Sequence, residues 1–173
     1  QDRRTAARCA ELREAGHEAD IRARTGLLLD PYFSATKLEW LLRDPLLRER
    51  ADAGTLRVGT VESWLVARLT GGLHLSDPTN SSRTMLAALA TGEWDPWLLA
   101  LFGVPRGILP TIVPSAGVVG HAKAEWFGRP IPIAGLAGDQ QAALFGQGCV
   151  TPGSAKITYG TGAFLLRHAG TVG

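Results

Sequence analysis

The run Ile131-Pro132-Ile133-Ala134-Gly135-Leu136-Ala137 passes directly into Gly138-Asp139-Gln140-Gln141-Ala142-Ala143-Leu144-Phe145-Gly146-Gln147. The first part is nearly continuously apolar and of strand length, which predicts a strand covered on both faces. Gly138 ends it, Asp139 opens the next element, and a helix is expected over 140–147. A strand that hands straight to a helix is the building unit of α/β folds, where ligands gather at the carboxyl edges of the strands. A carboxylate at such an edge can accept a proton from a bound hydroxyl. Asp is also a preferred helix N-cap, and spacing alone leaves both roles open for Asp139.

Downstream, Ala155 to Tyr159 and Ala163 to Arg167 read as two strands joined by Gly160-Thr161-Gly162, a hairpin signal. Glycines let backbone N–H groups approach phosphate oxygens, and Thr161 adds a hydroxyl donor. A tight turn explains the same glycines equally well. Upstream, Thr5 to Ala15 predicts a helix stopped by Gly16. Ser34 can cap a helix carrying Leu38, Leu41 and Leu42 on one face, with Pro45 ending or bending it. Thr60 can cap a helix whose apolar stripe is Val61, Trp64, Leu65 and Leu69, stopped by Gly71-Gly72. Asp95 opens a short helix through Leu98, Leu99 and Phe102. Tyr32, just before a helix, could offer its phenol to a hydroxylated ligand or could simply pack.

Composition excludes several classes. The 173 residues suffice for one domain, or one plus part of another. Hydrophobic residues make up 45% and charged residues 20%, ordinary for a soluble globular chain. The net charge of +2 and the scattered arginines give no nucleic-acid footprint. No apolar run approaches the roughly 18 residues of a membrane helix, and no signal peptide is evident. Cys9 and Cys149 lie far apart, which suits a reducing compartment. The four histidines have no metal-ligand spacing, and the acceptor pattern at Asn80-Ser81-Ser82 is read as accidental. The chain starts at Gln1 and is expected to be an internal segment.

The order and wording of these blocks resemble the FGGY carbohydrate kinases in their glycerol-kinase form. The resemblance is carried by Gln1-Asp2-Arg3-Arg4-Thr5 and by Thr25-Gly26-Leu27 through Asp30-Pro31-Tyr32-Phe33-Ser34-Ala35-Thr36-Lys37-Leu38-Glu39-Trp40-Leu41. It continues in Gly59-Thr60-Val61-Glu62-Ser63-Trp64-Leu65, Leu69-Thr70-Gly71-Gly72 and Thr79-Asn80-Ser81-Ser82-Arg83-Thr84-Met85-Leu86. Ala137 to Gln147 is the most specific stretch, and Tyr159-Gly160-Thr161-Gly162 with Phe164 completes the set. Departures are Asp44 at the end of the signature, Glu62 for a usual Asp, Pro78 for a usual Tyr, and Ala163 where many members have Cys. Glu125 to Pro130 lacks the Gly-Gly-Thr-Arg loop that binds fructose 1,6-bisphosphate in some bacterial members.

The resemblance implies an actin-like (ribonuclease H-like) ATPase fold of the α/β class. Residues 1–147 would be most of the N-terminal domain and 148–173 the start of the C-terminal domain. It implies that Asp139 is the catalytic base, that Tyr32, Asp139 and Gln140 bind glycerol hydroxyls, and that Phe164 walls the pocket. Gly160 and Thr161 would contact the nucleotide phosphates. The cofactors implied are ATP and Mg²⁺, with the main metal ligand upstream of Gln1. The expected protein is a cytoplasmic glycerol kinase, homo-oligomeric at full length, and this segment alone is expected to be inactive. The alternatives are an FGGY kinase for another polyol or ketose, and a non-catalytic truncated relic.

Overall fold

The computed structural model describes residues 2–160 and 162–170, and Thr161 lies outside them. The chain divides into two compact units, residues 1–136 and 137–173.

The first unit is mainly helical. Helix α1 spans Ala6–Glu14 and stops where Gly16 takes φ +84°, as the sequence predicts. Helix α2, Glu18–Thr25, follows at once. It buries only Ile21 and Thr25, too thin an apolar face to register as a periodic pattern. Helix α3 spans Ser34–Leu41; Ser34 is its first residue, Phe33 holds the cap position, and no side chain caps it. Leu42 is buried and Leu38 partly so, whereas Leu41 is exposed.

Helix α3 ends before Pro45, with Asp44 extended as expected, and Pro45 also starts a helix that the sequence reading does not include. Helix α4, Pro45–Asp52, has Asp44 as its N-cap, accepting from the N–H groups of Leu46 and Leu47 at 2.9 and 3.1 Å. Proline fits a first helical turn because its missing N–H would be orphaned there anyway.

Helix α5, Val61–Thr70, turns its expected stripe outward. Val61, Trp64 and Leu65 are exposed, while Ser63 and Val66 face inward. Thr60 has the backbone of a cap but makes no side-chain cap bond.

Strand β1 (Leu75–Ser76) pairs in parallel with β2 (Thr111–Ile112). The crossover between them contains α6 (Pro78–Ser81), α7 (Pro96–Leu101) and a 3₁₀ turn, Arg106–Ile108. Asp95 caps α7 through Trp97 and Leu98 and holds Arg24 at 2.8 Å, which ties α2 to the crossover. The core lies among these helices, with Ile21, Met85, Leu86, Leu98, Phe102 and Ile108 at its centre.

The unit ends in an antiparallel pair, β3 (Ala116–Ala122) and β4 (Ile131–Gly135), with the short helix α8 (Ala124–Phe127) between them. The apolar run therefore does form a strand. It is not covered on both faces, because its residues range from half-buried to exposed and β3 alone pairs with it among the described residues.

The second unit holds α9 (Asp139–Gly146) and the hairpin β5 (Ala155–Tyr159) with β6 (Ala163–Arg167), and α9 packs on β6. The hairpin has the predicted bounds, closing on the Tyr159–Ala163 pair. At Gly162 an added Cβ would come within 3.2 Å of the Phe164 ring, a close contact that the ring would have to shift a few tenths of an ångström to relieve.

Two acidic side chains meet at the carboxyl end of β1. Asp77 has no exposure and accepts from Ser115 (2.6 Å), Thr79 (2.8 Å) and both the backbone N–H and the side-chain amide of Asn80 (3.0 Å each). Burial alone would raise its carboxyl, but those donors outweigh it and hold the group below its usual value. Glu62 accepts from the Ser76 hydroxyl (3.0 Å) and the Asp77 N–H (3.2 Å) through Oε2, while Oε1 is buried without a partner among the described residues. Burial, then the Asp77 charge, pushes its carboxyl up to about 7 from 4.5.

In the native state Glu62 keeps its proton up to about pH 7; in the unfolded chain it loses it near 4.5. The stability that this carboxyl contributes is therefore full below pH 4.5 and is lost as pH rises through 7. With its partial exposure allowed for, the change is on the order of 2 kcal/mol. Thermal midpoints measured from pH 4.5 to 7.5 should fall for the parent protein and fall less for Glu62→Gln, with the amide variant the more stable above pH 7. Parallel curves for the two proteins would contradict the assignment.

Candidate active site

The residues singled out from sequence fall in both units. In the first, residues 30–33 form the turn that enters α3. The Asp30 carboxylate accepts the Tyr32 N–H at 2.8 Å, an Asx turn that fixes the approach to the helix. Tyr32 is 54% exposed, so its phenol is available to a ligand rather than packed away. It meets Phe33 edge to face at 5.3 Å, and the Arg83 guanidinium lies 5.1 Å from the centre of the same Phe33 ring. These side chains, with Leu27 and Leu28, line an open cleft of about 510 Å³.

The loop that presents Arg83 is firmly held. Thr84 accepts the Ala35 N–H at 2.9 Å, which joins this loop to the first turn of α3. The next residue, Met85, is fully buried at φ +64°, a conformation that costs a side-chain-bearing residue roughly 1–2 kcal/mol. Strain of this kind persists only where the surroundings enforce it.

In the second unit Asp139 is the first residue of α9 and Gly138 holds the cap position. Asp139 does not hold the N-cap position, but it accepts a first-turn N–H of the helix. Its Oδ1 accepts the Gln140 N–H at 2.8 Å and its Oδ2 the Gln140 side-chain amide at 3.3 Å. The carboxylate is exposed. Asp139 is thus the first helical residue rather than the N-cap, and it satisfies one first-turn donor of α9. Lys156 on β5 donates to the Gln140 side-chain oxygen and, at 2.7 Å, to the Thr158 hydroxyl. Phe164 sits on β6, 40% exposed, beside the turn at Gly162. Gly160 lies in that turn, its N–H donating to the Gly162 carbonyl at 3.0 Å. No cluster of three or more His, Cys, Asp or Glu side chains suited to a metal ion occurs among the described residues. No helix among them is long and apolar enough to cross a membrane.

Residues 1–146 match the model of the N-terminal domain of the FGGY family of carbohydrate kinases. The chain belongs to that family. This FGGY chain is 58% identical over 172 residues to a glycerol kinase of Rhodospirillum rubrum and 59% identical over 172 residues to one of Alkalilimnicola ehrlichii. Each match covers 98% of this chain and 35% of the relative, so the chain spans about a third of their length. A crystal structure of Plasmodium falciparum glycerol kinase with ADP superposes with a TM-score of 0.91 at 37% identity, over 96% of this chain and 34% of that one. The fold is the actin-like α/β fold of the FGGY sugar kinases.

Arg83 and Lys156 are absent from the sequence-based site. Arg83 stood in a quoted block but carried no chemical signal of its own. Lys156 alternates with the apolar residues Ala155, Ile157 and Tyr159, a pattern that points a lysine to solvent. The structure does the reverse, leaving Lys156 3% exposed and Ile157 and Tyr159 51% and 81% exposed.

Proposed function

We propose that the full-length protein carrying this chain is an ATP-dependent glycerol kinase and that Asp139 is its general base. The observation that carries the reading is the exposed carboxylate of Asp139 at the start of α9, oriented by both the backbone N–H and the side-chain amide of Gln140. In the reaction a terminal glycerol oxygen attacks the γ-phosphorus of ATP. The new oxygen–phosphorus bond forms, the bond to the ADP oxygen breaks, and the hydroxyl proton passes to the Asp139 carboxylate. In such transfers the protein mainly positions the reactants and neutralises charge.

In this reading Tyr32 and Gln140 bind glycerol hydroxyls and Phe164 forms an apolar wall. Gly160 and Thr161 belong to a phosphate-contacting turn, and residues 148–173 open the second domain. Mg²⁺ accompanies ATP. The described residues offer no acidic cluster to hold it, so no step is assigned to the metal through this chain. The protein is expected to be cytoplasmic and homo-oligomeric. A kinase for another polyol or ketose is the second reading, favoured by a Brucella ovis xylulose kinase structure that superposes with a TM-score of 0.78 at 32% identity.

Asp139→Asn in the full-length protein keeps the side chain's shape but cannot take the proton. A positioned general base contributes roughly 100- to 10,000-fold, so kcat should collapse by that factor with the thermal midpoint nearly unchanged. Turnover within about threefold of the parent would remove Asp139 from the chemistry.

Tyr32→Phe deletes one neutral hydrogen bond, typically about 0.5–1.5 kcal/mol. The KM for glycerol should rise several-fold while that for ATP stays put. An equal rise in both would assign Tyr32 to the fold rather than to the pocket.

A further inference from the structure

A lysine as buried as Lys156 usually has a carboxylate partner, since an ammonium removed from water must recover its lost hydration. Among the described residues no carboxylate forms an ion pair with it. Its donors go to two neutral oxygens, Gln140 Oε1 and Thr158 Oγ1.

An ammonium can only donate, so the end of the Gln140 side chain that faces it must be the oxygen. The NH₂ end is thereby turned the other way, where it meets Asp139 Oδ2 at 3.3 Å. The two ends of the amide are nearly equal in size and shape, and the Asp139 carboxylate, an acceptor, selects the same orientation from the other end through its longer 3.3 Å contact, so lysine and carboxylate fix the amide together. The lysine comes from β5 and the amide from α9, so the contact also sets the helix start against the hairpin.

We propose that Lys156 is a positioning residue of the polyol site. It locks the Gln140 amide so that its N–H groups face Asp139 and the substrate hydroxyl. The inference rests on the glycerol-kinase reading and deepens it, since it explains how an amide held at one end by a 3.3 Å contact is fixed at the other as a directed donor. Such preorganisation acts on ligand binding through the hydrogen bond it aims, and leaves the nucleotide untouched.

The test is steady-state kinetics on the full-length protein, with glycerol and ATP varied separately and thermal midpoints recorded. Lys156→Met keeps the side chain's bulk and removes the charge. It should raise the KM for glycerol about tenfold, leave that for ATP within about twofold, and keep the midpoint near the parent's. In a Gln140→Ala background the same change should add less than about twofold, because the lysine acts through that amide. Gln140→Glu supplies the second arm. Its carboxylate satisfies Lys156 but offers no donor to Asp139, so it should raise the glycerol KM without lowering the midpoint.

An unchanged glycerol KM in Lys156→Met, or effects of Lys156→Met and Gln140→Ala that multiply independently, would overturn the positioning role. If Lys156→Met does not fold, an unchanged glycerol KM in Gln140→Glu overturns it instead. A parent protein that transfers no phosphoryl group to glycerol overturns the functional reading first, and the inference with it.

Discussion

Asp77 is a carboxylate with no access to water, and four donors from three residues surround it. A buried charge is tolerable only with such complete satisfaction, and hydrogen bonds to an ionised acceptor are the strong ones. The donors arrive from separate pieces of chain. Thr79 and Asn80 belong to α6, which Asp77 also caps, and Ser115 stands just before β3. The Asp77 N–H in turn anchors Glu62 of α5. One side chain thus fastens the carboxyl end of the parallel pair to the segment that follows it and to the start of the antiparallel pair.

The cleft around Tyr32 inherits its shape from that attachment. The chain from α6 runs through Arg83 to Thr84, whose carbonyl receives the first-turn N–H of Ala35. The turn at Asp30 to Phe33 and the loop at Arg83 are therefore pinned to each other at backbone level. Met85 is held left-handed in a fully buried position directly after them, which marks the loop as imposed by packing rather than chosen by its own sequence. Phe33 then fills the space between phenol and guanidinium, with a ring contact to each.

Much of this was legible in the sequence, and the failures have physical causes. The hairpin was read to the residue, because a Gly-Thr-Gly turn between two strand-like runs is a local signal. Helices α1 and α7 announced themselves through a stop glycine and an Asp cap. Helix α2 did not, since one isoleucine makes no stripe. Pro45 follows the end of α3 as expected, but the Asp-Pro pair also reads as a cap followed by a first-turn proline, and that second helix goes unread. The stripe on α5 was periodic, yet the polar Ser63 is buried and Trp64 is not. Periodicity identified the helix but not which face of it packs inside the unit. Asp139 stands where the sequence opens a helix, and its place as the first helical residue rather than the cap needed coordinates. Lys156 was hidden by the strand alternation itself, because burying a lysine and exposing its apolar neighbours inverts the usual rule. Its partner lies on another element, and no local pattern could show that.

The central claim is that glycerol receives the phosphoryl group. It is tested most directly by incubating the full-length protein with ATP, Mg²⁺ and, in separate reactions, glycerol, xylulose or gluconate, and identifying the phosphorylated product by ³¹P NMR alongside initial rates. The account predicts glycerol phosphorylated at a terminal oxygen, with kcat/KM above that for either alternative by about a hundredfold or more. Preferential phosphorylation of xylulose or gluconate, or ADP release with no phosphorylated polyol, would contradict it.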